Sequence, residues 1–237
     1  MLVIAHRGAS GHAPENTLAA FRRALAMGAK AIEFDVHQTH DQELIVAHDD
    51  NLRRCAGDPR RLKDLRWAQD GARIDVGSWF DERFKGETMP TLSELFDLVP
   101  ASVEMHLEIK HGSKIYPGIE ERVLRFLRQR GALTRTLISS FDHAALFQVR
   151  SLDEKARLGY LLGVTSLNAA FRDMKKMSAE SLNLGVRQAR ERTMKKAHDG
   201  GYRVFVYTVN TPADRDRLGR LGVDGIFSNY PELDIWR

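Results

Sequence analysis

The chain is poor in cysteine and proline and has no long apolar run. Its one cysteine, Cys55, excludes an intrachain disulfide, so nothing calls for an oxidising compartment. No stretch approaches the roughly 18 apolar residues of a membrane-spanning helix. The opening run Met1-Leu2-Val3-Ile4-Ala5 is too short for the apolar core of a secretory signal, and no cleavage region follows it. A cytoplasmic protein without a membrane span is therefore expected. Charge of one sign is also scarce: 36 Lys and Arg stand against 32 Asp and Glu, a net +4. That excess suits an anionic ligand but does not argue for nucleic acid. The densest basic stretch, residues 172–196, reads as a solvated helical face. Internal repeats and low-complexity segments are absent.

What is there is globular. The 237 residues are 43% hydrophobic and 29% charged. Strand-like apolar runs fall at 2–6, 31–36, 103–110, 136–141, 157–162, 181–186, 203–209 and 224–228. Helical patterns lie between them, at 17–27, 91–99, 118–130, 143–151, 187–199 and 212–221. Glycines 28, 131, 200 and 222 stand at helix ends, as stop signals do. Eight strands separated by helices suggest an α/β barrel in one domain, 1–237. The run Leu44-Ile45-Val46-Ala47-His48 breaks the alternation. It follows Val36 after seven residues, whereas a parallel crossover needs about a dozen. It should fold back as a hairpin, opening a turn-rich insertion at 37–88 near the active end of the barrel. Residues 163–177 also follow a strand end and could supply a further loop, more polar than apolar.

Glu33 and Asp35 stand two apart in Ala31-Ile32-Glu33-Phe34-Asp35-Val36, so both carboxylates share one strand face. Alone, such a pair reads as a solvated face. The run 103–110 repeats the pattern, with Glu104, His106, Glu108 and Lys110 on its polar side. In a barrel these strands are neighbours, which lets Glu108 approach Glu33 and Asp35. Three carboxylates from adjacent strands are a donor set for Mg²⁺ or Ca²⁺. Lys110 neutralising Glu108 is the plainer reading, and both can hold. His6 ends the first strand and His48 the hairpin, positions that suit acid–base work near neutral pH. Arg7 is placed to clamp a phosphate. Pro14-Glu15-Asn16-Thr17 marks a helix start, with Asn16 or Thr17 as the N-cap.

Taken together, these motifs resemble the glycerophosphodiester phosphodiesterases. The likeness runs through His6-Arg7-Gly8, Pro14-Glu15-Asn16-Thr17, Glu33-Phe34-Asp35-Val36, Thr39-His40-Asp41, and His48-Asp49 with Leu52 and Arg53. It continues through Pro90-Thr91-Leu92, Glu108-Ile109-Lys110, Ser140-Phe141, Thr208-Val209-Asn210 and Asp224-Gly225-Ile226. The resemblance implies a TIM barrel with a small insertion after the second strand. It implies one divalent metal ion on Glu33, Asp35 and Glu108, and acid–base roles for His6 and His48, with His6 preferred as the base. It implies phosphate contacts from Arg7 and Lys110, with Asn16 ordering the site. The substrate would be a small glycerophosphodiester, split to glycerol 3-phosphate and an alcohol. Tyr207 stands where the family usually has Trp, on the leaving-group side of the substrate pocket. Leu184-Gly185 and Cys55-Ala56 are further departures. A lysophospholipid diesterase and a non-catalytic barrel that binds phosphorylated ligands are the competing readings. The oligomeric state, monomer or homodimer, is left open.

Overall fold

The computed structural model describes residues 1–234. Its first elements are β1 (Leu2–His6), α1 (Leu18–Ala26), β2 (Ala31–Gln38) and β3 (Leu44–Val46). Two single-turn helices follow, α2 (Arg53–Ala56) and α3 (Trp67–Asp70), then α4 (Leu92–Leu98) and β4 (Glu104–Ile109). The alternation then runs α5 (Ile119–Gln129), β5 (Thr136–Ser140), α6 (His143–Leu152), β6 (Arg157–Leu161) and α7 (Leu167–Met177). It ends with β7 (Ser181–Gly185), α8 (Glu191–Asp199), β8 (Arg203–Tyr207), α9 (Pro212–Arg220) and β9 (Gly225–Ser228). Strand order is β1-β9-β8-β7-β6-β5-β4-β2, and a β1–β2 pairing closes the ring. All of these pairings are parallel, so the fold is a TIM barrel.

Apolar side chains of alternate strand positions face outward. Ile32, Phe34, Val36, Met105, Leu107 and Ile109 pack beneath the helices in one continuous core. Inside the ring, Ile4, Ala31, Leu137, Phe205 and Phe227 fill the middle. Helix starts carry side-chain caps from Thr17, Thr91, Asp142, Ser166 and Thr211. Thr91 and Glu94 form a reciprocal capping box.

The hairpin forms as expected. β3 runs antiparallel to β2, with Val36 opposite Val46 and Gln38 opposite Leu44. The insertion that follows has its own small core of Ile45, Leu52, Leu62, Leu65, Val76 and Met89. The loop expected at 163–177 is corrected. From Leu167 to Met177 the chain is helix α7, capped by Ser166, and only 163–166 remain irregular. Leu167, Ala170, Phe171, Met174 and Met177 recur at helical spacing and pack on the core. The polar residues between them had masked that period.

The turn after β1 needs glycine. Gly8 has φ +80°, and a Cβ there would lie 2.7–2.9 Å from Ala20. Gly8→Ala is therefore expected to lower stability by about 2–4 kcal/mol, from left-handed strain plus overpacking. Urea unfolding checks this, and an unchanged midpoint would contradict the close packing of this turn.

Candidate active site

β2 and β4 are paired so that Asp35 lies opposite Glu108 and Glu33 opposite His106. On the other side of β2, Glu33 lies opposite His6 of β1. Register alone thus gathers His6, Glu33, Asp35 and Glu108 at the C-terminal end of three adjacent strands. One oxygen each from Glu33, Asp35 and Glu108 lie within 4.8 Å of one another, and all three residues are buried.

Fixed donors surround this cluster. Arg7 and Asn16 both hold left-handed backbones, φ 55° and 58°, a conformation that costs energy outside glycine and recurs at functional sites. The Asn16 N–H donates to the Arg7 carbonyl at 3.1 Å, tying the two residues together. The conformation aims the Arg7 backbone N–H at Glu33 Oε2, 2.9 Å away. It also lets Asn16 Nδ2 donate to Asp35 Oδ2 at 2.9 Å. Thr17, not Asn16, is the N-cap of α1. Arg7 Nε lies 3.3 Å from Asp35, while Lys110 Nζ lies 3.3 Å from Asp35 and 2.9 Å from Glu108.

Two cations thus face three carboxylates, which leaves one negative charge uncompensated in a buried place. Its effect is visible in the titration of each group. Burial, and then the neighbouring Asp35, raise Glu33 well above the usual range. Burial and Asp35 push Glu108 up to about 7, although Lys110 opposes them. Asp35 goes the other way: against its burial, Lys110 and Arg7 hold it far below the ordinary value. Asp35 Oδ1 and Glu108 Oε1 are buried with no aligned hydrogen-bond donor, only the Lys110 ammonium nearby. Hard oxygen donors with spare lone pairs and excess negative charge fit a divalent cation.

The two histidines are held by different partners. His6 Nδ1 lies 2.8 Å from Asn229 Oδ1, with its Nε2 4.0 Å from Glu33. Burial and the nearby Arg7 depress its pKa to about 4. His48 Nδ1 lies 2.7 Å from Asp49. Burial lowers its pKa too, reinforced by Arg7 and Lys110, with Asp35 and Asp49 opposing. Asp49 also accepts from Arg54 Nε at 2.7 Å. Arg54 continues to Glu15 at 2.6 Å, and Glu15 to Arg7 at 2.9 Å. A chain of charges therefore ties the insertion to the barrel rim.

His6, Arg7, Glu33, His48, Glu108 and Lys110 line one side of a cavity of about 210 Å³, whose other wall is Ser139, Phe141, Leu161, Tyr207, Thr208 and Phe227. The Tyr207 hydroxyl donates to the Leu162 carbonyl at 3.3 Å. Its ring meets Phe141 and Phe227 edge-on, at 6.1 and 6.5 Å. The site is thus charged on one side and apolar on the other.

All nine residues singled out from the sequence lie in or against this site: His6, Arg7, Asn16, Glu33, Asp35, His48, Glu108, Lys110 and Tyr207. Asn229, Asp49, Glu15, Arg54 and His37 belong beside them. Arg54, not Arg53, makes the contacts in the Leu52-Arg53-Arg54 run. His37 was readable, since it continues the alternation of Glu33 and Asp35 on β2. Asn229 carried no local signal, because 223 residues separate it from His6.

Residues 6–233 match the Glycerophosphoryl diester phosphodiesterase family. The chain belongs to that family. It is accordingly an enzyme, a phosphoric diester hydrolase. It is 36% identical to the glycerophosphodiester phosphodiesterase of Caldanaerobacter subterraneus subsp. tengcongensis, over 99% of this chain and 96% of that one. Against the Bacillus subtilis glycerophosphodiester phosphodiesterase it is 32% identical, over 98% and 85%. Among solved structures, an Oleispira antarctica phosphodiesterase in complex with the product sn-glycerol-3-phosphate superposes with a TM-score of 0.90. The two are 29% identical over 98% of this chain and 94% of that one. A glycerophosphodiester phosphodiesterase from Agrobacterium tumefaciens is similar, with a TM-score of 0.86, 26% identity and 98% of both chains covered. The charged cluster lies at the C-terminal end of the barrel strands, the end at which TIM-barrel enzymes carry their active sites.

The raised Glu108 pKa makes stability depend on pH. A group whose proton is held more tightly in the native state stabilises below its unfolded pKa, and that contribution is lost as pH rises through the folded one. In chelator, the thermal midpoint is therefore expected to fall between about pH 5 and 8, as the Glu108 carboxyl, at about 7, ionises. Glu108→Gln should flatten the slope. A midpoint that rises over this interval would contradict the cluster's charge balance.

Proposed function

We propose that the enzyme hydrolyses small glycerophosphodiesters to glycerol 3-phosphate and an alcohol, with one divalent metal ion, Mg²⁺ or Ca²⁺, and two histidines. The observation that carries this reading is the buried Glu33–Asp35–Glu108 cluster, flanked by Arg7, Lys110, His6 and His48 in one cavity. The metal would sit on those three carboxylates and supply Lewis-acid polarisation of the phosphodiester.

The protein's own residues do the rest. The Arg7 guanidinium and the Lys110 ammonium offset charge that develops on the phosphoryl oxygens. Asn16 and the Arg7 backbone hold Asp35 and Glu33 in place. His6 is neutral at pH 7 because burial depresses it, so its Nε2 is free to accept a proton from the attacking hydroxyl. In the protonated ring, one N–H of His48 stays on Asp49, which opposes the lowering by burial, and the other is donated from Nε2 to the leaving alkoxide. Family resemblance favours attack by the substrate's own 2-hydroxyl. The new P–O bond closes a cyclic phosphate as the bond to the alcohol breaks, and water then opens the ring. The apolar wall of Phe141, Tyr207 and Phe227 takes the side of the pocket away from the charges, where the leaving alcohol would lie.

The test is release of glycerol 3-phosphate from glycerophosphocholine, with lysophosphatidylcholine assayed in parallel. Chelator should abolish turnover, and Glu33→Ala and His48→Ala should each lower kcat by about 100-fold or more. Chelator-insensitive turnover would remove the metal from the mechanism. Turnover of lysophosphatidylcholine alone would move the enzyme to the lysophospholipase D reading.

A further inference from the structure

His37 is fully buried and plays no part in the chemistry described above. It lies on the same face of β2 as Glu33 and Asp35, one alternation beyond them, where the strand passes the barrel rim. Its Nε2 lies 3.1 Å from the His48 backbone carbonyl, and its Nδ1 lies 2.7 Å from the Tyr116 hydroxyl. A carbonyl only accepts, so Nε2 carries the ring proton and donates it. Nδ1 of the neutral ring then accepts from the Tyr116 O–H. Each contact fixes the other's direction, and Tyr116 sets the tautomer that His48 needs. Tyr116 is itself buried, and its ring meets that of His37 edge-on at 5.5 Å.

The residues around His48 show why this matters. The preceding Ala47 N–H donates to the Asp35 carbonyl at 3.1 Å, and beyond that point the chain leaves β2. The His48 carbonyl lies one residue further along, and the His37 imidazole donates to it. Without that donor the His48 carbonyl would lose this partner, and the backbone that carries the imidazole would lose one of the contacts that fix it.

We propose that His37, oriented by Tyr116, is a positioning residue that fixes the His48 backbone and so aims the His48 imidazole at the leaving group. The proposal rests on the reading of His48 as an acid–base group. It assigns a role in turnover to two side chains that never touch substrate.

The test compares kcat and KM on glycerophosphocholine for His37→Leu, His37→Gln and Tyr116→Phe, and for His37→Leu combined with His48→Ala. Gln places an amide donor near the position of Nε2, whereas Leu has none. His37→Leu should lower kcat by about tenfold or more with KM changed by less than about twofold, since misplacing a reacting group costs kcat. His37→Gln should recover kcat to within about threefold of the parent. In the His48→Ala background, His37→Leu should cost less than about twofold more, because two residues that act through one group are not additive. An equal loss in both backgrounds, or parental kcat in His37→Leu, overturns the proposal. Should His37→Leu fail to fold, Tyr116→Phe decides: a loss of about threefold or more in kcat supports the proposal, and parental kcat overturns it. His48→Ala alone separates the two readings. Parental activity there removes His48 from the chemistry and the positioning role with it. A large loss there, with no effect at His37, overturns the positioning role only.

Discussion

Three carboxylates packed at one end of a barrel repel each other, and burial removes the water that would screen them. Arg7 and Lys110 compensate two of the three charges. The third is what makes the cluster unstable as an empty, ionised site. It shows in the opposed titration of Asp35, held low by two cations, and of Glu33 and Glu108, held high by burial and by Asp35. A divalent cation would resolve that imbalance and would then draw an anionic phosphodiester to the same place. Charge balance at the barrel mouth thus links the fold to the proposed chemistry.

The remaining architecture serves to hold that imbalance still. Register between β1, β2 and β4 sets where the acids meet. Gly8 lets the chain turn sharply after β1, so that Arg7 and Asn16 can direct donors back onto the acids. The insertion brings His48 over the mouth and is locked there from two directions. Arg54 links Asp49 to Glu15 and Arg7, and His37 reaches the His48 backbone from below. Opposite this charged side, Phe141, Tyr207 and Phe227, with Leu161, form a largely apolar wall. The Tyr207 hydroxyl is turned away to the Leu162 carbonyl.

Much of this was legible in the chain itself, for identifiable reasons. Alternation along a strand is strict, so Glu33 and Asp35 share one face, and the adjacency of barrel strands brings Glu108 beside them. The seven-residue gap before Leu44 forbade a parallel crossover and so forced the hairpin that carries His48. Helix α7 is hard to read because five polar residues interrupt its apolar ones, and only the 167, 170, 171, 174, 177 spacing betrays it. Asn229 was invisible for another reason: it reaches His6 through ring closure, which no local pattern records. Arg54 was passed over for its neighbour Arg53, since on a four-residue helix only packing decides which side chain faces the barrel. His37 followed the same alternation as the acids and was overlooked only because it lies beyond the charged pair.

Calorimetric titration of the chelator-stripped protein with Mg²⁺ and with Ca²⁺ tests the central claim most directly. The charge balance predicts one ion bound per chain, with proton release at pH 6.5, where Glu108, at about 7, is still partly protonated. It also predicts that Glu108→Gln weakens binding and lowers that proton release, leaving the share that comes from Glu33, whose carboxyl is also held well above its usual range. Binding of neither ion, or binding with unchanged affinity and proton release in Glu108→Gln, would contradict the claim that these three carboxylates form the metal site.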